Sequence, residues 1–280
     1  QKFIHLRNYT QYSLSKGAIK VKDLVNKCLK RKIPAIGISD FGNLFGSMEF
    51  SLECKANGIQ PIIGCNIYLV DNNFENGYLL LIAKNELGFK NLSRLVTISY
   101  LENSKENYPY ISFNDLLNYS SGLICLAGGE FGFISKNYSR ERISKVNEAI
   151  KRLNEIFSND FFLEIQKDLS KNKGLYSFLI TQSISKNIPL VATNENFFLD
   201  KSFYESHDAL LSISEQKYLD SEDRLKSDRN FCFKEDHEIV SDFKNLPDAL
   251  DNTVMIAKKC SFFLEEKNPK LPKINVENND

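Results

Sequence analysis

His5, Arg7 and Tyr9 stand at alternate positions in FIHLRNYTQYS, residues 3–13. Side chains at that spacing share one face of a strand. An H-x-H at a strand end presents two imidazoles to one metal ion. Here Arg fills the second position and Tyr the third. The chain has three histidines in all, His5, His207 and His237, too few for a multi-metal centre rich in imidazole. Three readings are open to such a start: half of a metal site, one whose ligands have been replaced, or no site at all.

Other candidate groups carry bland readings. His207, in SHDALLSI, is expected to cap or pack a helix start, and His237 lies in a polar, solvated stretch. AGGEFGF (127–133) is Gly-rich but lacks the Lys-Ser/Thr of a phosphate loop and reads as a turn. Glu222 and Asp223 look like a solvated loop. The six cysteines form no C-x-x-C pair, and several lie in apolar runs such as PIIGCNIY and GLICLAG. They read as buried free thiols in a reducing compartment.

The elements that would position these groups follow from pattern. The 280 residues are 42% hydrophobic and 26% charged, enough for one large α/β domain or two small ones. Thirty-six basic and 36 acidic residues cancel, so the basic excess of a nucleic-acid-binding module is missing. No apolar run reaches the roughly 18–20 residues of a membrane helix, and no signal peptide is evident. The expectation is a cytoplasmic protein without membrane contact.

KIPAIGISD (32–40), GIQPIIGCN (58–66) and NIPLVATNE (187–195) repeat one pattern: Ile, Pro, an apolar run and a polar end. Near-continuous apolar runs suit strands covered on both faces, as in a parallel sheet. YLLLIAK (78–84), GLICLAG (122–128) and FFLEIQ (161–166) are further strands. Helical patterns fall at 21–31, 46–58, 86–102, 141–157, 174–187 and 247–260, the last with Pro247 at its start. Seven or so strands alternating with helices suit a barrel, whose site lies at the C-terminal strand ends. Those ends carry His5, Arg7, Asp40, Asn66, Gln166, Asn194 and Glu195. From about residue 213 the chain becomes polar and reads as a surface excursion.

FIHLRNYTQYSLSKGAIKVKDLV, ISDFGNLFGSMEF, GIQPIIGCNIYLV, LLLIAKNELGFKNLSRL, IPLVATNENFF and LPDALDNTVMIAKKC occur in one order. Together they resemble the N-terminal PHP domain of bacterial replicative DNA polymerase III alpha subunits, over about residues 3–275. The resemblance implies a distorted (β/α)7 TIM-like barrel over 1–270, with 271–280 beginning a linker towards a polymerase core beyond this chain. It implies as partners the remainder of the alpha chain, the proofreading exonuclease subunit, and DNA through the full-length holoenzyme. Mg²⁺ would belong to the polymerase core. In some members a trinuclear metal cluster makes the PHP domain a 3′–5′ exonuclease.

Carried over position by position, the family's ligands are largely gone. The H-L-H positions hold His5 and Arg7, and the following Asp is Lys16. The T-D-H segment is Ser39-Asp40-Phe41, the Glu after G-C is Asn66, and the next strand's His is Tyr78. The Cys or His after S-G aligns with Gly129, and the closing Asp-x-His is Glu195-Asn196-Phe197. Only His5 is kept outright and Glu195 conservatively. Some family members show a similar H-L-R and D-F pattern.

Charge adds to this. A divalent ion about 4 Å from one cationic side chain, at an effective dielectric near 20, meets roughly 8 kcal/mol of repulsion. Arg7 cannot shed its proton. No residue is therefore assigned a catalytic, cofactor-binding or metal-ligating role, and no cofactor is expected in this domain. Arg7, with Lys16, is expected to pair with Glu195 or Asp40 where ions would sit. The expected function is a metal-free docking module of the polymerase. The alternative is a metal-dependent phosphoesterase or 3′–5′ exonuclease using His5, Asp40 and Glu195. A self-contained histidinol-phosphate hydrolase is disfavoured by the polymerase-type segments.

Overall fold

The computed structural model describes residues 3–103, 108–139, 142–167 and 172–269. Its centre is a six-stranded sheet in sequential order: β1 (Ala35–Phe41), β2 (Gln60–Leu69), β3 (Gly77–Ala83), β4 (Leu123–Gly128), β5 (Phe161–Gln166) and β6 (Leu190–Thr193). The pairs β1–β2, β4–β5 and β5–β6 are parallel. β3 runs antiparallel to both neighbours. This corrects the expectation of a wholly parallel sheet, and loop length explains it. Only residues 70–76 separate β2 from β3, too few for the crossover that a parallel pair requires.

Ten helices lie among the described residues: α1 (Val21–Arg31), α2 (Ser47–Ala56), α3 (Glu86–Leu101), α4 (Phe113–Tyr119), α5 (Phe133–Asn137), α6 (Ile143–Phe157), α7 (Lys173–Lys186), α8 (Tyr204–Ser214), α9 (Asp236–Asp242) and α10 (Pro247–Lys259). Their starts follow local chemistry. Asn85 accepts from Gly88 N at 2.9 Å to cap α3, Ser112 and Asp115 form a capping box on α4, and Pro247 opens α10. Helix α1 buries Val21, Leu24, Val25 and Cys28 against strand residues Ile36, Ile38 and Ile63. A separate cluster unites Ile62, Leu80, Leu126, Phe162 and Val191 from five strands with Ile256 of α10.

Residues 3–9 are extended but do not form the regular strand expected. They make isolated contacts between β1 and the residues after β6. Gly37 N donates to His5 O at 2.9 Å, Ser39 N to Asn8 O at 3.0 Å, and Tyr9 N to Asn196 O at 2.9 Å. Thr253 of α10 accepts from Ile4 N at 2.9 Å. The crossing is tight: a Cβ on Gly37 would lie 2.6 Å from Leu6 O. Glycine is therefore required there for backbone approach.

Period-two alternation then sets the site. On one face β2 carries Ile62, Gly64 and Asn66, and β5 carries Phe162, Glu164 and Gln166. Val191 and Thr193 of β6, with Glu195 beyond it, continue this layer. The strand starts are apolar and the strand ends polar, so a charged layer sits on a greasy one.

After α8, residues 215–228 form the surface excursion read from sequence, tied back by the Arg224 guanidinium on Asp208 at 2.9 and 2.7 Å. All six cysteines are buried and unpaired, and burial pushes their thiols up. Among the described residues no helix is long and apolar enough to cross a membrane. The linker expected at 271–280 lies outside the described residues.

Candidate functional site: a buried ionic network under an aromatic cap

At the C-terminal ends of the strands, Arg7 grips Glu164 through two hydrogen bonds. Nε donates to Oε1 and Nη2 to Oε2, the latter at 2.7 Å. Both side chains are buried, Arg7 3% and Glu164 0% exposed. The remaining guanidinium nitrogen, Nη1, donates to Tyr9 Oη at 2.7 Å and Asn66 Oδ1 at 3.1 Å. Asn66 Nδ2 also donates to Tyr9 Oη at 2.8 Å, and the tyrosine hydroxyl donates a hydrogen bond to Glu195 Oε2.

Gln166 completes the layer. Its amide donates to Glu195 Oε1 at 2.9 Å and Thr193 Oγ1 at 3.1 Å, while its Oε1 accepts from Glu130 N at 2.9 Å. Thr193 donates in turn to Glu164. Burial opposes the charged guanidinium, yet Glu164, Tyr9 and Glu195 together hold Arg7 well above its ordinary range. Burial, with Glu195 beside it, likewise keeps the Tyr9 phenol protonated against the pull of Arg7.

Of the expected pairings, Arg7 with Glu195 is present as an ion pair, whereas Asp40 pairs with neither cation and Lys16 with neither carboxylate. Glu164 is the principal partner of Arg7, and Glu195 stands at 3.8 Å. Glu164 is a lone carboxylate within the apolar strand FFLEIQ, two residues before the Gln166 expected at the strand end. Asp40 lies on the opposite face of β1, with Ile36 and Ile38. It accepts from Thr10 N and Thr10 Oγ1 at 2.7 Å each and from Ser13 Oγ at 2.6 Å. Burial raises its carboxyl, and these hydrogen bonds oppose the shift. Asp40 thus pins the turn leading to Lys16.

Lys16 has no carboxylate partner among the described residues. Its amine sits 4.6 Å from the Phe41 ring centre and 5.9 Å from that of Tyr78. The Tyr9 ring is stacked between Phe41 at 4.6 Å and Phe197 at 4.4 Å, and Tyr78 meets Phe41 edge-on at 5.1 Å. The aromatic residues expected to displace ligands therefore roof the ionic layer. Gly129, where the resemblance implies a Cys or His, has φ +68°. A Cβ there would lie 3.1 Å from Glu164 Oε2 and 3.2 Å from Gln166 Nε2. Gly129→Ala is expected to lower stability by about 1–3 kcal/mol through strain and crowding. Denaturant unfolding checks it, and an unchanged midpoint would mean the layer yields freely.

His5 stands apart from Arg7. Its ring packs on Phe233 at 4.0 Å and Phe3 at 4.8 Å, and Nδ1 meets Asn196 Nδ2 at 3.1 Å. Asn196 must donate through its amide, so Nδ1 accepts and Nε2 carries the proton of the neutral ring. Burial, with Arg31 and Lys234 nearby, lowers its pKa to about 3. Asn194 also turns away, donating to Asn196 Oδ1 at 2.7 Å and to Cys232 O at 3.2 Å. His207 packs within α8, contacting Lys16 O at 2.8 Å and Ser227 Oγ at 2.7 Å, and His237 is exposed. Among the described residues no three His, Cys, Asp or Glu side chains form a metal-ligand group.

A model of the PHP domain family matches residues 5–168. The chain is 34% identical to a DNA polymerase III subunit alpha of Caulobacter vibrioides, covering 97% of this chain and 24% of the relative. It is 36% identical to the protein of that name from Borreliella burgdorferi, covering 94% and 24%. The chain thus spans about a quarter of the length of these curated relatives. A solved amidohydrolase from Chromobacterium violaceum aligns at 11% identity and a TM-score of 0.44, covering 68% of this chain and 86% of that one.

Proposed function

The chain belongs to the PHP domain family, and from that premise we propose that it is the PHP domain of a DNA polymerase III alpha chain, serving as a metal-free structural and docking module. The observation that carries this reading is the bidentate bond to Glu164 from Arg7, which stands where the resemblance implies a metal ligand. A divalent ion about 4 Å from that guanidinium would again meet roughly 8 kcal/mol of repulsion. Phe41 and Phe197 offer no lone pairs, and His5 is walled off among Phe3, Phe233 and two cationic side chains. The residues present do not fit a divalent metal, and without one no bound water is activated for phosphodiester attack.

In this reading residues 3–9 serve as the irregular seventh stave of a distorted (β/α)7 barrel. The remainder of the alpha chain packs against the domain, the proofreading exonuclease docks on it, and DNA is met through the full-length assembly in the cytoplasm. Mg²⁺ serves the polymerase core outside this chain.

Elemental analysis, calorimetric titration with Mn²⁺ or Zn²⁺ and hydrolysis of a single-stranded oligonucleotide test the metal-free role. We expect no stoichiometric metal and no turnover sensitive to His5→Ala. Stoichiometric metal, with turnover abolished by that substitution, would establish the metal-dependent phosphoesterase or 3′–5′ exonuclease instead.

A further inference from the structure

Above the aromatic roof lies a cleft of about 820 Å³ that the ionic network does not use. Lys16 forms part of its floor on a backbone held from two sides. Asp40 fixes the preceding turn through Thr10 and Ser13, and His207 holds Lys16 O at 2.8 Å. The next residue must be glycine: a Cβ on Gly17 would lie 2.1 Å from Thr10 O. The Lys16 backbone is thus fixed at the cleft, and its amine, over the Phe41 ring, has no carboxylate partner among the described residues. Lys136 and Lys226 stand on the same cleft, beside apolar Leu211, Leu225 and Phe231.

We propose that this cleft docks an extended peptide segment of a partner protein, placing a carboxylate at Lys16 and a bulky apolar side chain against Leu211, Leu225 and Phe231. The proposal rests on the docking role above and names where and by what chemistry docking occurs. A peptide suits the walls better than a nucleic acid strand. Phe41 is already covered by Tyr9 and Lys16, and Phe197 by Tyr9 and His207, so these rings offer no open face for base stacking. Leu225, 52% exposed at the cleft, matches apolar side chains that a peptide supplies.

The test uses fluorescence anisotropy with labelled eight-residue peptides alternating Glu with Leu or Phe, the same peptides with Lys for Glu, and a labelled oligo-dT. Only the acidic peptides should bind. Lys16→Glu should weaken them about tenfold or more, and Leu225→Asp should also weaken them, with unfolding midpoints unchanged. Indifference to Lys16→Glu, equal binding of the basic peptides, or binding of oligo-dT alone overturns the proposal. Purified proofreading exonuclease separates the two readings. If it binds while Lys16→Glu has no effect, docking stands and this cleft is not its seat. If the acidic peptides bind through Lys16 but the exonuclease does not, the cleft stands and the docking partner is another protein.

Discussion

Arg7→Ala is expected to lower the unfolding free energy by about 3–5 kcal/mol, the largest loss of any single substitution in the site. The substitution leaves Glu164 and Glu195, 0% and 5% exposed, without the cation that both face. Tyr9 and Asn66 lose their guanidinium donor as well. Lysine does not replace it: one ammonium cannot reproduce the planar fork on Glu164 while also reaching Tyr9 and Asn66. Removing both partners together should do less harm than removing Arg7 alone, because no unpaired charge remains buried. Arg7→Met with Glu164→Leu, set against each single change in a denaturant double-mutant cycle, measures that coupling. A loss below about 1 kcal/mol for Arg7→Ala would mean that water reaches the carboxylates and the network is not a closed ionic core.

The second large effect is acid instability from His5. Its folded pKa of about 3 lies below the ordinary 6.5, so the native state binds fewer protons than the unfolded chain between those values. Stability from keeping this ring neutral is therefore full above about pH 6.5 and is lost as pH falls towards 3, on the order of 3–5 kcal/mol in all. The cause is local. Burial comes first, Arg31 and Lys234 add positive charge, and the Phe3 and Phe233 rings exclude water. Asp40 works the other way: its raised carboxyl favours the folded state at low pH. The comparison must therefore be between variants. His5→Phe should flatten the pH slope of unfolding between pH 6.5 and 4 relative to the parent. Identical slopes would place the acid sensitivity elsewhere.

Much of the scaffold could be read before folding. Helix α1 announced itself by Val21, Leu24, Val25 and Cys28 on one face, and α10 by Pro247 and Asp248. The apolar runs ending in Asp40, Asn66 and Gln166 became β1, β2 and β5 within a few residues. Strand direction was less legible, because an apolar run looks the same in either sense, and only the short 70–76 connection reverses β3. The N-terminal segment misled through its alternation. His5, Arg7 and Tyr9 have strand spacing, but the backbone makes only isolated bridges, so His5 and Arg7 meet different surroundings.

Sequence alone determined which chemical groups the mouth of this fold contains. One early histidine, a guanidinium that keeps its proton, and phenyl rings at positions of expected donors are facts of residue type, unchanged by any arrangement. Only the tertiary structure decided which carboxylate meets Arg7. Glu164 lies 157 residues away in sequence, and its place in a strand of large apolar residues gives no local hint of a partner. The two meet because residues 3–9 enter beside β1 while β5 and β6 turn their polar ends towards the same layer. Desolvation then makes that long-range pairing obligatory, since neither charge could stay buried without the other.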